Sequence, residues 1–78
     1  MNIRHPQKLS IQVKKTIHRK KVVLLLLFPF NNAILTILKS MQGFYWSKTL
    51  NGWYTNYSDE KINEIKINLK NIATLAFD

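Results

Sequence analysis

Cysteine is absent from the 78 residues. That removes disulfide staples and all thiolate chemistry, and with them the small secreted class built on a disulfide framework. Acid is scarce too. The four carboxylates are Asp59, Glu60, Glu64 and Asp78, so nothing acidic precedes position 59. Three of them crowd one and a half turns of a helical pattern, and no pair is spaced to flank a cleft for acid–base work. Glycine and proline number two each, and no run of glycines is available to cradle a phosphate. His5 and His18 stand alone, without a second ligand at metal-binding spacing. No catalytic, cofactor-binding or metal-binding residue emerges, so the expectation is a non-enzyme without a cofactor.

What is abundant is positive charge, and it is placed unevenly. Twelve Lys and Arg meet four acids for a net charge of +8. Residues 1–21 hold Arg4, Lys8, Lys14, Lys15, Arg19, Lys20 and Lys21 as a basic N-terminal arm. Such an arm implies an anionic partner, either lipid headgroups or nucleic acid. Lys14, Lys15, Arg19, Lys20 and Lys21 are its candidate anionic-surface contacts. A short alternation at Ile11-Gln12-Val13 leaves the arm open to a strand or a weak helix.

The charge stops where an apolar segment, residues 22–40, begins. Val22 to Leu38 is seventeen residues without a charge, and twelve of them are Val, Leu, Ile or Phe. As a helix it would measure about 26 Å at 1.5 Å per residue, against a hydrocarbon core of roughly 30 Å. Twelve apolar side chains favour insertion by about 4–7 kcal/mol. Pro29, Asn31 and Asn32 oppose it at mid-depth, at roughly 1–3 kcal/mol per unpartnered amide. Basic flank and leucine run together favour a transmembrane helix or uncleaved signal-anchor, with the N-terminus on the cytoplasmic, stromal or matrix side. Asn31 and Asn32 would then bond to a partner helix. The competing parse splits the segment into a buried strand "VVLLLLF", a turn "FPFNN" and a short helix capped by Asn32 and stopped at Gly43.

Residues 44–57, "FYWSKTLNGWYTNY", carry a hairpin signal. Asn51-Gly52 between aromatic and β-branched runs suits a two-residue turn. That register pairs Leu50 with Trp53 and Trp46 with Tyr57. It puts Trp46, Leu50, Trp53 and Tyr57 on one face, and Tyr45, Ser47, Thr49, Tyr54 and Asn56 on the other. Trp46, Trp53 and Tyr57 join the asparagines as candidate partner contacts. Residues 58–78 read as an amphipathic helix with Ser58 as N-cap and an apolar stripe at Ile62, Ile65, Leu69, Ile72 and Ala76.

The fold class expected is therefore α+β, with one apolar transmembrane helix, an aromatic β-hairpin and a C-terminal amphipathic helix. The functional expectation is a small single-pass membrane protein serving as a non-catalytic accessory or assembly subunit, its partners the lipid bilayer and another protein or a second copy. The alternative is a basic α+β mini-domain that binds RNA or DNA through the arm and the hairpin tyrosines. A third is a chain with no defined activity.

Overall fold

The computed structural model describes residues 9–77. In chain order these form β1 (Leu9–His18), β2 (Lys21–Leu27), α1 (Asn32–Ser40), β3 (Tyr45–Ser47), β4 (Gly52–Asn56), α2 (Asp59–Leu69) and β5 (Ala73–Phe77). The strands form one sheet in the order β3-β4-β2-β1-β5. Neighbours are antiparallel except β1 and β5, which run parallel.

The apolar run supplies an interior strand of this sheet. Val23, Leu24, Leu25 and Leu26 are all buried although they point alternately to opposite faces. A strand covered on both sides has no polar alternation to show, which is why the sequence reads as an unbroken apolar block. At about 1.5–3 kcal/mol per fully buried side chain, the four contribute about 6–12 kcal/mol of gross hydrophobic stabilisation.

Both helices pack on the same face. Ile34 and Leu38 of α1 and Ile65 and Leu69 of α2 share one core with Ile11 and Val13 of β1, Leu24 and Leu26 of β2, Phe44 and Ala73. The topology accounts for this. β2 crosses through α1 to β3 at one edge of the sheet, and β4 crosses through α2 to β5 at the other edge. β2 and β4 run in opposite directions. Crossovers of the same hand, the near-universal preference, must then lie on the same face.

The expected transmembrane helix is not present. No helix among the described residues is long and apolar enough to cross a membrane. The segment 22–40 breaks at Phe28–Asn31, where Pro29 cannot continue a ladder and Asn31 begins a helix of nine residues. Val23, Leu24, Leu25, Leu26, Ile34 and Leu38 are covered within the fold, and Asn31 caps α1 while Asn32 is exposed in its first turn. The signal-anchor and the membrane placement with a cytoplasmic N-terminus rested on that helix and fall with it. The charge step at Lys20-Lys21, taken as a membrane flank, is a tight turn between two strands, with Arg19 and Lys20 at its corner. Residues 9–18 of the basic arm are β1; residues 1–8 lie outside the described part.

Two further boundaries differ from the sequence reading. Asn31, one position before the expected cap, is the N-cap of α1: the Ile34 N–H donates to its Oδ1 at 3.0 Å. The helix that starts at Ser58 ends at Leu69, and 73–77 form β5. There the Lys61 N–H donates to Ser58 Oγ at 3.0 Å, and Asp59 and Glu60 fill the first turn. Pairing of Ala73–Phe77 with Leu9–Val13 outweighs the helical spacing of Ile72 and Ala76, since it buries Ala73 against the core and satisfies the β1 edge.

The two asparagines therefore separate in mutagenesis. Asn31→Ala is expected to lower unfolding free energy by about 1 kcal/mol through the lost cap. Asn32→Ala, at an exposed first-turn position, is expected to change it by less than about 0.5 kcal/mol. Urea denaturation of the two variants checks this.

Candidate functional site

Among the described residues, one face of the sheet carries no helix. Strand register fixes which side chains it presents: Ser10, Gln12, Lys14, Thr16 and His18 from β1; Lys21, Val23, Leu25 and Leu27 from β2; Tyr54 and Asn56 from β4; Tyr45 and Ser47 from β3. The β1 row is polar or basic throughout. The β2 row is apolar, yet Val23 is only 1% exposed. Aromatic rings on this face lie around it. His18 meets Tyr54 edge-on with ring centroids 4.9 Å apart, and Tyr45 meets Tyr54 at 5.8 Å. Together with Arg19, Lys21 and Asn56 these residues line a shallow cleft of about 180 Å³ at the β1–β2 end of the face. Tyr45 remains 56% exposed.

Cations occur on both faces, but the described acids are confined to one. Every acid among the described residues (Asp59, Glu60 and Glu64) is on α2, which lies on the covered side. The helix-free face and the β1–β2 turn carry Lys14, Arg19, Lys20 and Lys21 with no carboxylate among the described residues. The ion pair between Lys61 and Glu64, at 3.7 Å, is confined to α2.

A second feature lies on the helix side, at the β3–β4 edge. Trp46 and Trp53 sit directly opposite one another, ring centroids 5.9 Å apart. With Leu26, Phe28, Phe30 and Leu35 they line an apolar cleft of about 430 Å³.

The expected contact residues thus disperse. Lys14, Arg19, Lys20 and Lys21 converge on the open face and its turn. Lys15 points to the helix side, its Nζ 4.5 Å from the centre of the Tyr57 ring. Trp46 and Trp53 come together in the apolar cleft, Tyr57 does not join them, Asn31 caps α1 and Asn32 is an exposed residue of its first turn. The hairpin register also differs from the sequence reading: Ser47 pairs with Gly52, Trp46 with Trp53 and Tyr45 with Tyr54, around a four-residue loop at 48–51. The Leu50 N–H donates to Ser47 Oγ at 3.0 Å and ties that loop down.

His18 is the residue that sequence reasoning passed over. Its signal was parity: continuing the Ile11/Val13 alternation puts Gln12, Lys14, Thr16 and His18 on one face. Its aromatic partner is 36 positions away, and no local pattern reports that. Comparison of the chain with known protein families, with curated proteins and with solved structures finds no match.

Gly52 has a packing role on this face. A Cβ there would lie 2.9 Å from Leu25 Cδ1, 3.0 Å from Leu27 Cδ2 and 3.2 Å from the Leu26 carbonyl. The left-handed corner is Asn51, at φ 56°. Gly52→Ala should therefore destabilise by about 1–3 kcal/mol through overpacking, while Asn51→Gly should be neutral or mildly stabilising. Tyr54→Ala, which removes two ring contacts at about 0.5–1.5 kcal/mol each, should cost more than Tyr45→Ala, which removes one. Urea midpoints of the four variants rank these effects.

Proposed function

We propose that the chain is a nucleic-acid-binding module, and that its contact surface is the helix-free face of the sheet together with the β1–β2 turn. The observation that carries this reading is the segregation of the described acids away from the open face. Four cations without a carboxylate occupy the open face and its turn, while the described acids lie on the opposite layer. Such a surface attracts a polyanion and orients it. The rest of the face suits the same partner. Ser10, Gln12, Thr16 and Asn56 offer hydrogen-bonding groups for phosphates or base edges. Tyr45 and the His18–Tyr54 pair offer rings for stacking. No catalytic step belongs to this reading.

Fluorescence anisotropy with a labelled oligonucleotide, single-stranded and duplex, tests the proposal. Neutralisation of about four phosphates predicts a slope of log K against log salt of about −3.6 for a duplex and about −2.8 for a single strand. Either slope corresponds to a weakening of about fifty- to two-hundredfold between roughly 50 and 200 mM salt. Lys14→Asn with Lys21→Asn should reduce affinity in both formats. No binding at low salt with the protein at about 100 µM would refute the reading, since non-specific binders reach that range even at physiological salt. Equal binding to anionic vesicles, unaffected by the Lys14 and Lys21 substitutions, would also count against it.

A further inference from the structure

We infer that the Arg19–Lys20 turn is a dedicated phosphodiester grip, the part of the surface that reaches furthest into the nucleic acid. The inference rests on the nucleic-acid reading above and goes beyond it by assigning the leading contact to two residues.

The first observation is conformational. His18 pairs with Lys21, so Arg19 and Lys20 form a two-residue hairpin loop. Both are left-handed, with φ of 53° and 67°. Loops of this kind favour Asn-Gly because side chains such as those of Arg and Lys are strained at positive φ. The same chain shows the ordinary solution elsewhere, with Asn51 at its other left-handed hairpin corner. At 19–20 the turn keeps two long cations in the less favourable backbone state. Strain of this sort at an exposed tip points to function and not to folding.

The second observation is position. Ile17 is 69% exposed and Val22 43% exposed, although both point to the side where the helices pack. The end of the β1–β2 ribbon therefore stands clear of the helical layer. The third is electrostatic. Arg19 and Lys20 are exposed, and their side chains make no hydrogen bond or ion pair among the described residues. Lys21 follows immediately and Lys14 lies on the adjoining face. Two adjacent guanidinium and ammonium groups on a narrow projecting ribbon fit neighbouring phosphates of one strand.

The test is the double variant Arg19→Asn, Lys20→Gly, which installs the preferred turn and removes both cations. The control is Lys39→Asn, Lys48→Asn, which removes the same charge from exposed positions on α1 and the 48–51 loop. Anisotropy titrations across salt are paired with urea denaturation. The inference predicts a higher unfolding midpoint for the turn variant, together with at least tenfold weaker binding at low salt. Its salt slope should be shallower by about two, one for each lost phosphate contact. The control should keep its slope within about half a unit, and its affinity should change far less. If the turn variant binds like the wild type while Lys14→Asn with Lys21→Asn weakens binding, the grip is overturned and the wider interface stands. A lower unfolding midpoint, or equal losses in turn variant and control, would also overturn it. If the wild-type chain itself does not bind, the failure belongs to the nucleic-acid reading.

Discussion

The structure depends on burying one strand from both sides. β2 carries Val23 and Leu25 on one face and Leu24 and Leu26 on the other, and all four are removed from water. On one side the cover comes from Ile34, Leu38, Ile65 and Leu69 of the two helices. On the other, Val23 lines a cleft with His18, Tyr45 and Tyr54, and Leu25 sits opposite Tyr54. A chain of 78 residues has little core to spare. Placing its most apolar strand inside the sheet is what lets two short helices and five strands hold together without disulfides.

The same arrangement creates the surface assigned to function. Because both crossovers lie on one face, the acids among the described residues go with α2 to the covered layer, and the opposite face is left to the five strands. That face is then basic by default, and its apolar strip is closed by rings rather than by a helix. A sheet covered by its own flat aromatic groups stays accessible to a second flat or extended molecule. The apolar cleft at Trp46 and Trp53 belongs to the other side of the sheet and has a different chemistry, with no cation among its lining residues.

Local signals in the sequence located what local physics decides. Ser58 with Asp59 and Glu60 marks the start of α2 because capping and dipole effects act within one turn. The faces of the 44–57 hairpin were legible even though its register was not. The observed pairing differs from the two-residue-loop register by an even number of residues, so Trp46 and Trp53 still share a face, as do Tyr45 and Tyr54. What could not be read locally was the identity of Val22–Leu38, since lipid and a doubly covered strand ask for the same composition. Pro29 and Asn31 were the decisive residues: the connection from β2 to α1, not the bilayer, gives each of them a place. β5 was equally hidden. Its helical spacing is real, but its pairing is with residues more than sixty positions earlier, and that contact outweighs propensity. The open face is a product of topology, and it became visible only once the strand order was known.

In the proposed function, nucleic acid meets the helix-free face of the sheet. The most direct measurement is a backbone amide NMR titration of the chain with an unlabelled oligonucleotide, with perturbations mapped by residue. The account predicts the largest changes between Lys14 and Val23 and at Tyr45 and Tyr54, with α2 from Asp59 to Leu69 nearly silent. Perturbations concentrated on α1, α2 or the Trp46–Trp53 cleft, with the β1–β2 hairpin unmoved, would contradict it.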